Sequence, residues 1–198
     1  MEKKAITNLK LNTVITNRWS PRSFSDKAIE KEKIQQFFEA ARWAPSAFNV
    51  QPWSFMVGIK GDETWQKIFE SLVEFNQMWA INAPVLVVAV GAKVREADGQ
   101  ENVTWQYDLG QAAAYLTIQA YTDGLVMHQM GGFDQAKLVE SFNLPENYHP
   151  VSVSAVGYQD VADKLPHPLD QLEKGERSRK PLSEIVFSET FGKTSRVI

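Results

Sequence analysis

Two clusters of basic residues could bind a phosphate group. Arg18, Ser20 and Arg22 alternate near the start of the chain, and Arg177 and Arg179 lie near its end. Arginine can bind a phosphate through two parallel hydrogen bonds, and serine adds a neutral donor. If the fold brings the two clusters together, they would hold a terminal phosphate. If it does not, each is a solvated run of charge.

A polar loop over residues 44–53 is a second candidate ligand-binding element. Pro45 and Pro52 restrict its backbone at two points, and three polar side chains lie between them, those of Ser46, Asn49 and Gln51. A stiff polar loop between a helix and a strand is suited to holding a planar polar ligand. A plain connector with solvated side chains is the alternative.

The remaining candidates are weaker. Gly131 and Gly132 could let backbone amides approach a ligand, although a tight turn explains the pair equally well. The three histidines are far apart in the sequence, and the chain has neither a Gly-x-Ser-x-Gly motif nor a metal-ligand spacing. We therefore expect neither a hydrolytic triad nor a metal site.

Alternating helices and strands must position these residues. Helical spacing of apolar residues predicts four helices, over residues 30–43, 63–80, 103–122 and 134–142. Short apolar runs predict four strands, at residues 53–59, 85–90, 125–129 and 150–158. The run at 85–90 has no polar alternation, which indicates a strand buried on both faces. The tail over about 181–198 has apolar residues but no helical period.

Composition excludes several classes of protein. The chain has no cysteine, which rules out thiolate catalysis, disulfides, iron–sulfur clusters and cysteine-bound zinc. A net charge of −3 argues against a general affinity for nucleic acid. The most apolar run, over residues 83–92, is too short to cross a bilayer, and the N-terminus has no apolar core of the signal-peptide type. We expect a single cytoplasmic domain over residues 1–198, with no membrane partner.

Taken in order along the chain, these motifs resemble the nitroreductase family of flavoproteins. The Arg-x-Ser-x-Arg element at 18–22 precedes the most specific match, Pro-Ser-x-x-Asn-x-Gln-Pro-Trp at 45–53. Weaker matches continue the order as Asp-Leu-Gly at 108–110, Gly-Gly-Phe-Asp at 131–134 and Arg-Lys-Pro-Leu at 179–182. The resemblance covers nearly the whole chain.

The resemblance implies an α+β fold, a three-layer sandwich with a mostly antiparallel central sheet flanked by helices. It also implies an intertwined homodimer with FMN at the interface, and a tail that extends over the partner subunit. The implied activity is that of an FMN-dependent oxidoreductase. It takes a hydride from NADH or NADPH onto flavin N5 and passes electrons to a nitroaromatic or quinone by a ping-pong mechanism. Non-nicotinamide flavin chemistry on the same fold and a non-catalytic flavin-binding or storage protein are the alternatives.

The resemblance also assigns roles to residues, with the flavin and not a side chain carrying the chemistry. Arg22 would face the pyrimidine edge of the flavin and stabilise negative charge at N1 and O2 of the reduced ring. The phosphate would be held by Arg18, Ser20, Arg177 and Arg179, with backbone contacts from Trp19. The partner subunit would contribute the loop residues Pro45, Ser46, Ala47 and Asn49, and Gln51 would also contact the cofactor. Further contacts would come from Asn76, Gly131 and Gly132.

Two positions depart from well-studied members of that family. Trp79 lies where they often carry a lysine, and Gly131 lies where they carry an acidic residue. Both positions would lie in the flavin environment, so the flavin potential cannot be carried over. Phe48 and Tyr107 are candidate walls of a pocket, and packing in the core is the alternative for each.

Overall fold

The computed structural model describes residues 2–198, and a four-stranded sheet forms its centre. The strands are β1 (Trp53–Ile59), β2 (Val85–Ala92), β3 (Val126–Met130) and β4 (Tyr148–Gly157). Their order in the sheet is β1-β2-β4-β3, and each neighbouring pair is antiparallel. All four strands begin and end within two residues of the positions that the sequence predicts.

Seven α-helices are present within residues 2–198. They are α1 (Thr13–Asn17), α2 (Lys31–Arg42), α3 (Glu63–Ser71), α4 (Glu74–Ala80), α5 (Trp105–Thr122), α6 (Gln135–Ser141) and α7 (Leu169–Lys174). The sequence did not predict α1 and α7, because helices of five and six residues are too short to show an apolar period. Within the same residues, none of the helices combines the length and the apolar character needed to cross a membrane.

The sheet separates two hydrophobic cores, which gives the three layers. Val85 and Val87 of β2 pack with α2 and α5, whereas Leu86, Val88 and Val90 pack with α3 and α4. Successive side chains of a strand point to opposite faces, so a strand covered on both faces is apolar throughout. This confirms the predicted α+β architecture and the predicted burial of β2 on both faces.

The prediction of one helix over residues 63–80 is wrong, because the chain forms α3 and α4 with a break between them. Asp62 caps α3 by accepting a hydrogen bond from the Trp65 amide. Leu72 is extended and pairs with Phe133 as an isolated β-bridge, and the Val73 amide donates to the Gly132 carbonyl at 3.1 Å. Pairing with a distant segment thus overrides a helical period that continues across the break.

The C-terminal tail contains no α-helix, as predicted. A single 3-10 turn at Leu182–Glu184 is followed by an isolated bridge between Phe187 and Thr194. Phe191 contacts the Phe187 ring and is otherwise exposed. The extension of this tail over a partner subunit stays a prediction.

Candidate functional site

Three arginines from the two ends of the chain meet at one cavity. Arg18 directly follows α1, and Arg177 and Arg179 follow α7. All three line a cavity of about 420 Å³, and none of the described residues that line it is acidic. The fold therefore brings together the two basic clusters that the sequence left far apart.

The guanidinium groups of this cluster repel one another. Burial and then the charges of Arg177 and Arg179 lower the pKa of Arg18, and burial followed by the charge of Arg179 lowers the pKa of Arg177. Arg177 is anchored through Nη1, which donates to the carbonyls of Lys3 and Thr16 at 2.6 and 3.1 Å. Convergent cations without an acidic residue in their cavity are suited to binding an anion such as phosphate.

The residues between Arg18 and Arg22 are held close to the protein. Trp19 is nearly buried, with the Lys3 ammonium 4.3 Å from the centre of its ring. Ser20 is half-buried beside it. The indole of Trp19 thus packs against the protein. The contact with the FMN phosphate that the resemblance implies would come from the Trp19 backbone.

Arg22 lies beside a buried carboxylate that the sequence analysis did not identify. Glu173 on α7 is only 2% exposed, and its Oε1 accepts hydrogen bonds from the amides of Arg22 at 2.8 Å and Ser23 at 3.2 Å. Its Oε2 lies 4.0 Å from Nη1 of Arg22. The two residues are 151 positions apart, and α7 has no sequence signal, so no local pattern could have revealed the pair.

Trp79 is a core residue beneath this site. It is completely buried, and its ring centre lies 6.1 Å from that of Phe24 and 4.6 Å from that of His128. His128 Nδ1 lies 3.1 Å from the Pro21 carbonyl oxygen. Burial and then the charge of Arg22 lower the pKa of His128 to about 4, so the ring is neutral at pH 7. The Trp79 position therefore supplies a buried aromatic ring and no second cation.

The loop between α2 and β1 has an unusual backbone. Phe48, Asn49 and Gln51 have φ angles of 52°, 56° and 52°, a region that is rare for residues other than glycine. Such conformations persist where the surrounding structure imposes them, and they cluster at ligand sites. The Phe48 side chain is 93% exposed and that of Tyr107 is 72% exposed, so core packing is wrong for both.

Asp108 attaches this loop to α5. It is buried, and its Oδ2 accepts hydrogen bonds from the Thr104 hydroxyl at 2.9 Å and from the Ala47 amide at 3.3 Å. The side-chain amide of Gln111 donates to the Pro45 carbonyl at 3.4 Å. One turn of α5 therefore fixes the first residues of the loop.

Replacing Asp108 with alanine is expected to loosen the loop. The Ala47 amide and the Thr104 hydroxyl would lose their acceptor, at a cost of about 1–3 kcal/mol. Hydrogen exchange followed by mass spectrometry should show faster exchange over residues 45–53 while β2 keeps its protection. Gln106→Ala, an exposed change in the first turn of the same helix, is the control. Equal exchange of the loop in both variants would show that Asp108 does not hold it.

The glycine turn after β3 lies against α4. The Asn76 side-chain amide donates to the Gly132 carbonyl at 3.0 Å. A Cβ atom on Gly132 would lie 2.9 Å from side-chain atoms of both Asn76 and Val73, whereas one on Gly131 would meet nothing within 4 Å. Close packing thus favours glycine at 132, and the backbone at 131 is left accessible. Asn76 supports this turn, and its own contact with a flavin stays a prediction.

The predicted site residues fall into separate places within one chain. Asn49 and Gln51 line a cavity of about 570 Å³ together with residues of the 92–98 segment, not the cavity of the arginine cluster. Within residues 2–198, no group of three or more histidine, aspartate or glutamate side chains is placed to hold a metal ion.

Both the sequence and the structure of this chain match known proteins. Residues 15–77 and 59–158 match the sequence model of the nitroreductase family. A protein of Archaeoglobus fulgidus, provisionally named an NADH dehydrogenase/NAD(P)H nitroreductase, is 30% identical over 73% of this chain and 83% of its own length.

Two solved structures also match over most of their length. One, described as an oxidoreductase containing FMN, has a TM-score of 0.89 and 31% identity over 95% of this chain and 96% of its own. A nitroreductase family protein of Clostridium difficile has a TM-score of 0.68 and 30% identity over 88% of this chain and 95% of its own.

Proposed function

The chain belongs to the nitroreductase family, and from that premise we propose that it is an FMN-dependent oxidoreductase. It takes a hydride from NADH or NADPH and passes the electrons to a small flat acceptor, a nitroaromatic or a quinone. The convergence of Arg18, Arg177 and Arg179 on one cavity is the observation that carries this proposal. A dianionic phosphate would relieve the repulsion among these cations, and a relative 31% identical to this chain contains FMN.

The residues of the chain fit the parts of FMN. Bound FMN supplies the redox chemistry, because its ring can accept a hydride at N5 and return the electrons. The arginine cluster and Ser20 would hold the phosphate, and Arg22 would lie at the pyrimidine edge, where its charge stabilises the reduced ring. Neutral His128 and buried Trp79 would support that edge without adding charge.

We propose that the complete site forms in a homodimer in the cytoplasm. Within one chain the loop at 45–53 and the arginine cluster line different cavities, so the loop would reach the FMN of a partner subunit. Reductant and acceptor would use the same position in turn, with Phe48 and Tyr107 as aromatic walls. One domain would span residues 1–198, and its tail over 181–198 would extend over the partner.

A visible absorption spectrum of the purified protein tests this proposal first. We expect oxidised flavin bands near about 450 nm that bleach when NADH or NADPH is added without oxygen. Bands that stay unchanged with both nucleotides would favour non-nicotinamide flavin chemistry or a storage role. A colourless protein that cannot be reconstituted with FMN would contradict the proposal as a whole.

A further inference from the structure

We propose that Glu173 is a positioning residue that sets how much positive charge Arg22 presents to FMN, and thereby lowers the reduction potential of the bound flavin. This inference rests on the proposed function, because it concerns the same site. It adds a residue outside every motif that the sequence analysis identified, on a helix that the sequence did not predict.

The contacts of Glu173 point to the segment that carries Arg22. One oxygen of its carboxylate accepts hydrogen bonds from two successive amides, those of Arg22 and Ser23. The Ser23 hydroxyl donates to the Val161 carbonyl at 2.7 Å, which ties the same segment to the chain before α7. Glu173 therefore fixes the backbone from which the Arg22 side chain starts.

The second oxygen of Glu173 acts on the guanidinium itself. It lies 4.0 Å from Nη1 of Arg22, and among residues 2–198 no other acidic side chain is within ion-pair distance of Arg22. Both this oxygen and Nε of Arg22 are buried without a hydrogen-bond partner. Arg22 and this carboxylate oxygen thus attract each other electrostatically at 4.0 Å. They do not form a bidentate hydrogen bond, which would occupy the donors of the guanidinium.

Burial strengthens the electrostatic effect of the Glu173 carboxylate on its neighbours. Glu173 is only 2% exposed, so water and salt screen its charge far less than they screen a charge on the surface. Lys3 also lies near Glu173. Burial lowers the pKa of Lys3, the charge of Glu173 opposes this lowering, and the charges of Arg22 and Arg177 add to it. Glu173 thus compensates part of the positive charge on this side of the site.

The consequence concerns the reduced flavin more than the oxidised one. A full positive charge at the pyrimidine edge would stabilise the negative charge that the ring gains on reduction. When the nearby charge of Glu173 offsets part of the Arg22 charge, the reduced ring is stabilised less. The bound flavin is then a stronger reductant toward its acceptor. Removing the Glu173 charge should therefore raise the potential.

Glu173→Gln is the variant that separates charge from shape, because a glutamine oxygen can still accept from the two amides. We expect the affinity for reduced FMN, relative to oxidised FMN, to rise about tenfold, which corresponds to about 30 mV in the two-electron midpoint potential. Anaerobic titration with a redox dye measures this potential without any turnover. Glu176→Gln removes the same charge from an exposed position three residues away and should leave the potential unchanged.

A potential that is the same in Glu173→Gln and in the native protein would overturn the inference. If this variant fails to fold, Glu173→Asp keeps the charge but moves it back by one methylene, and it should raise the potential in part. An unchanged potential in a folded Glu173→Asp then overturns the inference equally. Failure of the native protein to bind FMN would overturn the proposed function, whereas bound FMN with an unaltered potential overturns this inference alone.

Discussion

Replacing Arg18 with alanine is expected to weaken FMN binding by about 10- to 100-fold. The guanidinium would supply charge-assisted hydrogen bonds to the phosphate, and this factor corresponds to the net loss of one of them, worth about 1.5–3 kcal/mol, because about 1.4 kcal/mol is a factor of ten in the dissociation constant. Quenching of flavin fluorescence on titration of the apoprotein measures that constant. The effect should appear for FMN and not for riboflavin, which lacks the phosphate.

The stability of the apoprotein provides a second reading of the same change. Burial and then the charges of Arg177 and Arg179 lower the pKa of Arg18, so removing Arg18 relieves both a desolvated charge and repulsion in the unliganded protein. Its thermal midpoint without FMN should therefore not fall. Arg196→Ala, which truncates a side chain that is 90% exposed, is the control and should bind FMN normally. An FMN affinity in Arg18→Ala equal to that of this control would refute the phosphate assignment.

Gly58→Ala is expected to destabilise the fold by about 3 kcal/mol or more. A Cβ atom on Gly58 would lie 2.3 Å from the Trp65 amide nitrogen and 2.4 Å from its Cα, so β1 and α3 could no longer pack in their present positions. Backbone atoms cannot move aside as a flexible side chain does, and overpacking of a core typically costs about 1–3 kcal/mol, occasionally more. Urea unfolding should show a lower midpoint.

A substitution in the same strand tests whether this effect is local. Ser54 is an exposed residue of β1, and Ser54→Ala should change the free energy of unfolding by no more than about 0.5 kcal/mol. Equal unfolding midpoints for the two variants would mean that Gly58 does not lie in direct contact with α3.

Local sequence patterns predicted the strands well because their signals lie within each segment. The apolar run at 85–90 required burial on both faces, and β2 is buried on both faces. The same kind of reasoning failed over 63–80, where Leu72 and Phe75 continue the helical period but Leu72 pairs with Phe133 instead. A period reports which face is apolar and contains no information on a distant strand-like partner.

The residues of the candidate site divide in the same way, into those that local patterns identified and those that only the fold brings together. Sequence alone identified the arginine clusters, the loop at 45–53 and the glycine turn, because arginine, proline and glycine have recognisable chemistry or backbone restrictions wherever they lie. It could not show that Arg18 meets Arg177, that Glu173 lies beside Arg22, or that Asp108 holds Ala47.

The amino-acid sequence thus determined the types of the main elements, the resemblance to a flavoprotein family and the segments able to contact a phosphate or a ring. Only the tertiary structure decided the break between α3 and α4, the three-arginine cavity and the carboxylate that faces Arg22. Each of these depends on contacts between residues more than 50 positions apart. Such contacts are set by the packing of whole layers, which no local pattern of residues specifies.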